Sequence, residues 1–243
     1  MSPQGSCPGL VVNDIMGTAT VHGLIGGRGS CQWKQLISGM HLSAPWNSIE
    51  YVVIPPGASC GRHRHDRTEQ IYYVLSGTAE MEIDDSVAAL AAGDLATTPV
   101  GSAHGTLNSS SASLQFLGID LFAQNSNGRR APETLSVSAA PAQRPEAGVE
   151  THSVDLSAVL TGPWRSFSTL DLSPGAVLSR PALEGGEEVL FVEHGDVELE
   201  IGTHRVVGER GCCVGVPPGS PTKIANSSRS QPLRVLSTVA EVS

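Results

Sequence analysis

Residues 79–83 alternate apolar and acidic side chains, the two-residue period of a strand with one buried face. The apolar run 70–75 precedes them and stops at Ser76 and Gly77, so the two segments predict a hairpin. Residues 48–55, rich in β-branched and aromatic side chains, run into a turn at Pro55, Pro56 and Gly57. Residues 88–95 predict a further strand-turn step around Gly93 and Asp94, and residues 114–122 form an apolar strand that closes the unit. The alanines of 88–92 have helical propensity. They are nevertheless assigned to a strand, because residues 205–210 occupy the same place in a second copy and carry Val206 and Val207. Residues 10–12 and 19–24 supply extra strand material, and the polar stretch 124–150 reads as a connection.

The second copy follows from a constant offset of 118 positions. It relates Pro45 and Trp46 to Pro163 and Trp164, Pro56 and Gly57 to Pro174 and Gly175, and Gly77 to Gly195. It also relates Gly93 to Gly211, Pro99 to Pro217, Gly101 to Gly219 and Asn108 to Asn226, with no insertion or deletion needed between 45 and 110. Glycines and prolines at fixed positions imply the same turns in the same places. The chain is therefore read as all-β, with one unit in residues 1–125 and a linker plus a second unit in 126–243.

Composition agrees and narrows the function. Apolar residues make up 40% of the 243 and charged residues 16%, enough apolar surface for a core in each half. Aromatics are only 4%, so aliphatic side chains must fill most of it. A net charge of −9 argues against nucleic acid as a partner. Arg62, Arg64 and Arg67 could face an anionic small molecule or simply be solvated strand-face residues. Five cysteines without regular spacing, two of them adjacent (Cys212 and Cys213), do not form a disulfide framework. With no signal-like start and no apolar run of about 20 residues, a cytoplasmic protein without membrane insertion is expected.

The chemistry gathers in the first unit. His63 and His65, two apart on a strand, project to one face and can chelate one ion. Gln70 opens the next strand, and His104 can supply a third imidazole from a separate one. The segments from Gly57 to Gly77 and from Gly93 to Asn108 resemble the two signature motifs of the cupin superfamily, which folds as small jelly-roll barrels. The resemblance implies two tandem cupin barrels and one divalent metal held by His63, His65, Gln70 and His104. Gln stands where Glu is commoner, with Glu69 as a rival one residue earlier. The six-residue gap to Gly77, repeated between Glu188 and Gly195, favours Gln70. Under the offset, His63, His65 and His104 become Pro181, Leu183 and Thr222, so the second barrel should bind no metal.

Three neutral imidazoles and an amide leave the charge of the ion uncompensated, which favours an anionic substrate. The donor set suits Fe(II), Mn, Co, Ni or Zn. Family resemblance favours an Fe(II) dioxygenase acting on a small organic molecule. The alternatives are a redox-neutral isomerase, lyase or cyclase at the same site, and a non-catalytic small-molecule-binding cupin. Tyr72 shares strand parity with Gln70 and is a candidate proton donor, or else a core aromatic. Cys60 is read as packing, and a homodimer is compatible with the family.

Overall fold

A computed structural model describes residues 9–123 and 130–242. Cys7 and the start of the predicted connection, 124–129, lie outside the described residues. In the first half the strands are β1 (Val11–Asn13), β2 (Ala19–His22), β3 (Ser30–Ser38), β4 (Trp46–Ile54), β5 (Ser59–Arg64) and β6 (Thr68–Ser76). They continue as β7 (Thr78–Ile83), β8 (Ser86–Ala91), β9 (Asp94–Thr98), β10 (Ala103–Leu107) and β11 (Leu114–Phe122). After them come β12 (Thr134–Ser136), β13 (Val149–Asp155), β14 (Trp164–Leu172), β15 (Val177–Arg180) and β16 (Gly186–His194). The last five are β17 (Val197–Ile201), β18 (His204–Gly208), β19 (Cys213–Val216), β20 (Thr222–Asn226) and β21 (Leu233–Glu241). Helical structure among the described residues is limited to three single 3₁₀ turns.

Each half is a jelly-roll sandwich. In the first, a seven-stranded sheet (β12-β9-β6-β11-β4-β3-β2) faces a four-stranded one (β5-β10-β7-β8). In the second, a six-stranded sheet (β1-β19-β16-β21-β14-β13) faces β15-β20-β17-β18. The alanine-rich segment is strand, pairing Ala88 with Met81 and Leu90 with Ala79, because its alternate residues close the barrel. The halves exchange end strands. β1 pairs with β19 of the second half, while β12, inside the stretch read as connection, pairs with β9 of the first.

The repeat survives in three dimensions where backbone geometry demands it. Gly77 and Gly195 turn their hairpins at φ of 82° and 90°, and a Cβ on either would press on a backbone carbonyl, Ser113 O or Pro232 O. Asn108 and Asn226 are both buried, and their Nδ2 groups donate to the carbonyls of Ile54 and Leu172, themselves one offset apart. One apolar cluster fills each barrel, and a third lies between them, where Trp46, Ile37 and Tyr73 of the first half meet Trp164, Phe167 and Phe191 of the second.

Register corrects the offset at one point. In the first barrel His63 lies opposite His104 and Cys60 opposite Thr106, so β5 carries one extra residue as a bulge. Gly105 permits it, since a Cβ there would sit 3.0 Å from Arg62 Cα. The corresponding β15–β20 pair of the second barrel has no bulge, and Arg180, not Pro181, lies opposite Thr222. The guanidinium of Arg180 makes two bonds to the buried Glu188 carboxylate, at 2.8 and 2.9 Å, and the Ser237 hydroxyl donates to the same carboxylate. An ion pair thus fills the place that histidines hold in the first barrel.

Candidate metal centre

β5 and β10 run antiparallel, so placing His63 opposite His104 sends both rings to the inner face, with His65 beside them at the strand end. The ligating nitrogens of the three lie within 4.8 Å of one another. His104 Nε2 is 3.1 Å from His63 Nε2 and 3.3 Å from His65 Nε2. Each ring is oriented from behind through Nδ1. His63 Nδ1 donates to the Gly61 carbonyl at 2.9 Å, which fixes the tautomer and leaves Nε2 as a lone pair. His65 Nδ1 meets Thr68 Oγ1 at 3.0 Å, and His104 Nδ1 meets Thr98 Oγ1 at 3.0 Å.

Electrostatics match this arrangement. Burial, followed by the neighbouring His63, lowers the pKa of His65 to about 4. The same two effects, with His65 added, depress His104 well below the usual histidine value. Both imidazoles are therefore neutral near pH 7, the form that offers a lone pair to a cation.

Gln70 and Glu69 separate as strand parity requires. Gln70 faces the cavity and donates from Nε2 to Asp120 Oδ2 at 2.8 Å, while its Oε1 is buried and meets no hydrogen-bond partner among the described residues. A carboxylate can only accept, so Asp120 holds the amide with its oxygen turned away. Glu69 points the opposite way, into the seam between the barrels. There it accepts from Thr161 N, Thr161 Oγ1, Gly162 N and Trp164 Nε1. Three converging imidazole nitrogens, with an unpartnered amide oxygen on a residue lining the same cavity as His63 and His104, offer the N/O donors a cation would satisfy, so the residues fit a metal ion.

Asp120 escaped sequence reasoning. It also lies 3.5 Å from His65 Nδ1, touching two candidate ligands from one carboxylate, and burial raises its pKa to about 7 against the opposing Gln70 hydrogen bond. With that pKa, Asp120 is ionised only in part near neutrality, so the negative charge it adds behind the neutral donors grows as the pH rises through about 7. The only sequence signal was an acidic residue inside the apolar closing strand β11. Asp120→Ala is expected to weaken metal binding about 10–100-fold, the usual cost of losing such an outer partner. Competition titration against a chelator measures this, and a change below about threefold would remove Asp120 from the site.

The cavity at the cluster, about 270 Å³, is lined by His63, Gln70, His104, Tyr72, Phe116 and Glu50 among others. Tyr72 is buried and stacks on Phe116, with centroids 3.8 Å apart, and it meets the His104 ring edge-on. Its hydroxyl has Thr106 as a neighbour but no partner in hydrogen-bonding geometry, and burial raises its pKa further. Tyr72 is thus both a core aromatic and a cavity wall. Cys60 also lines the cavity, and burial pushes its thiol up to about 12, too weak an acid to serve as a thiolate. Arg62, Arg64 and Arg67 are exposed and outside the cavity lining. Arg64 pairs with Asp66 and Arg67 sits over Phe122, so the solvated alternative holds for all three. The four described cysteines are free, and no helix of the described residues is long and apolar enough to cross a membrane.

Comparison with known proteins gives a matching picture. The family described as "Cupin domain" matches twice, over residues 50–120 and 168–239, together more than half of the chain. An oxalate-binding protein of Thermotoga maritima is 29% identical over 94 residues, 39% of this chain and 78% of that protein. A Pseudomonas aeruginosa protein described as glyoxylate-induced superposes over all of this chain and 91% of its own, with a TM-score of 0.78 at 17% identity. Oxalate decarboxylase of Bacillus subtilis, described with Mn(II) centres, superposes over 99% of this chain and 79% of its own, with a TM-score of 0.75 at 15% identity. At those identities the two structures attest the fold alone.

Proposed function

The chain belongs to the cupin-domain family, and on that premise we propose that its first barrel is the working half of a metal-dependent enzyme acting on a small organic acid. The observation that carries the proposal is the convergence of three Nε2 atoms at a cavity that Gln70, whose buried Oε1 has no partner, also lines. His63, His65, His104 and Gln70 would hold one divalent ion, Fe(II) by preference, with Mn, Co, Ni and Zn compatible with the same donors. Bound there, the ion would polarise a carboxylate or carbonyl oxygen, and as Fe(II) it would add dioxygen chemistry. The preferred reaction is therefore dioxygenation.

The protein's own groups do the rest. The Nδ1 partners keep the imidazoles aimed, and Asp120 keeps the amide oxygen forward. Tyr72, kept un-ionised by burial, presents a proton-bearing hydroxyl that no neighbour satisfies. That same hydroxyl favours one second reading, a redox-neutral proton-transfer reaction of the isomerase or lyase kind. The name of the oxalate-binding relative supports an anionic ligand.

The test reconstitutes the protein anaerobically with Fe(II) and follows oxygen in a closed cell while small carboxylic acids are supplied. About one oxygen consumed per acid is the expected result. Turnover of an acid without oxygen uptake would replace the dioxygenase by the redox-neutral reaction. If no acid binds to the metal-loaded protein at millimolar concentration, the proposal fails altogether.

A further inference from the structure

Glu50 stands outside both signature motifs, yet it lines the cavity. Cross-strand pairing explains how. On the inner face of the seven-stranded sheet the row nearest the cluster is Ser48, Asp120 and Gln70. The next row is Glu50, Gly118 and Tyr72, and the row beyond it is Val52, Phe116 and Val74. Between Glu50 and Tyr72 the sheet therefore carries no side chain. A Cβ at Gly118 would lie 3.2 Å from Gln70 Nε2, so this glycine keeps the floor open between Glu50 and the candidate ligands.

The carboxylate is held in place with capacity to spare. Trp33 Nε1 donates to Oε2 at 3.0 Å and Ser48 Oγ to Oε1 at 3.0 Å, leaving each oxygen a further lone pair. No Lys or Arg is among the lining residues, so the fixed charge on this wall is negative. The remaining wall is mostly apolar, formed by Phe116, Val52, Leu24 and Ile25.

We infer that the cavity selects an amphipathic monocarboxylic acid with a hydroxyl at its far end, and that Glu50 is the residue that reads this hydroxyl. The acid group would go to the ion, the apolar body would lie along Phe116, and the hydroxyl would donate to Glu50. A second carboxylate in that position would face Glu50 and be repelled, while a two-carbon diacid would leave the apolar wall uncovered. This inference rests on the metal-centred function proposed above.

The test uses the Co(II)-loaded full chain, whose visible spectrum reports on groups entering the coordination sphere, together with calorimetry. The probes are benzoate, 3- and 4-hydroxybenzoate, and terephthalate. A hydrogen bond to a charged acceptor predicts that the better hydroxybenzoate binds at least about tenfold tighter than benzoate, with terephthalate the weakest. Glu50→Gln, with its metal content as a check on folding, is expected to bring hydroxybenzoate within about threefold of benzoate and to improve terephthalate. Equal affinity of the wild type for benzoate and both hydroxybenzoates, or a preference that survives Glu50→Gln, would overturn the role of Glu50. A spectral response to every acid without discrimination removes this inference and leaves the metal-centred function standing. No spectral response to any of them removes both.

Discussion

His63→Ala and His104→Ala are each expected to reduce bound metal from about one equivalent per chain to a small fraction of one, measured by elemental analysis after dialysis. Loss of an outer partner already costs a metal site roughly 10–100-fold in affinity, and removing a donor itself must exceed that. The remaining pair cannot compensate, because each imidazole is held by its own Nδ1 contact, at Gly61, Thr68 or Thr98, and is not free to swing inward. Thermal unfolding provides a second readout. Metal at about a thousand times its dissociation constant stabilises the folded state by about 4 kcal/mol, so a chelator should lower the Tm of the wild type and leave that of the variants unmoved. The number expected is one equivalent and not two, since Arg180 and Glu188 neutralise each other where the second barrel would need donors. Two equivalents in the wild type, or one retained in both variants, would sink the assignment.

Much of this was legible in the chain because glycines, prolines and histidines act through local geometry. Gly77 and Gly195 are needed for φ near 90°, so their spacing exposed the repeat. His63 and His65 share a face because a two-residue step on a strand keeps it, a rule that needs no tertiary information, whereas His104 joins them only through the β5–β10 pairing, which the family resemblance supplied. What escaped depends on pairing between distant strands. The bulge in β5 shifts the counterpart of His63 from Pro181 to Arg180, and counting residues cannot reveal a register change compensated in the following loop. Asp120 and Glu50 sit 50 positions after and 20 before Gln70 and reach the site only through the β11 and β4 ladders. Likewise β12 was hidden in a polar segment whose strand character comes from the β9 edge it covers. Glu69 is the clearest case, because alternation separated it from Gln70 but gave no hint of what it holds.

That role sets the second large effect, a loss of stability on Glu69→Ala without loss of metal. Glu69 and Glu187, one offset apart, form two matching clasps across the barrel seam. Glu69 accepts from Thr161, Gly162 and Trp164, and Glu187 accepts from Ser43 N, Ala44 N and Trp46 Nε1. Between them Trp46 and Trp164 meet edge-to-face, with ring centroids 6.4 Å apart, inside the apolar cluster shared by both halves. Both carboxylates are 1% exposed or less, so removing one leaves an indole N–H and backbone N–H groups with neither acceptor nor water. The expected cost is about 3–5 kcal/mol, in the range for breaking a buried charged interaction. For a chain of this length that lowers the Tm by roughly 6–20 °C. Glu187→Ala should cost a similar amount, since its donors are of the same kinds. Glu69→Gln, which keeps one acceptor oxygen, should cost less. Metal content measured below the lowered Tm should stay near that of the wild type, because Glu69 faces away from the histidines. Loss of metal in Glu69→Ala with an unchanged Tm would instead make Glu69 the ligand and return Gln70 to a packing role.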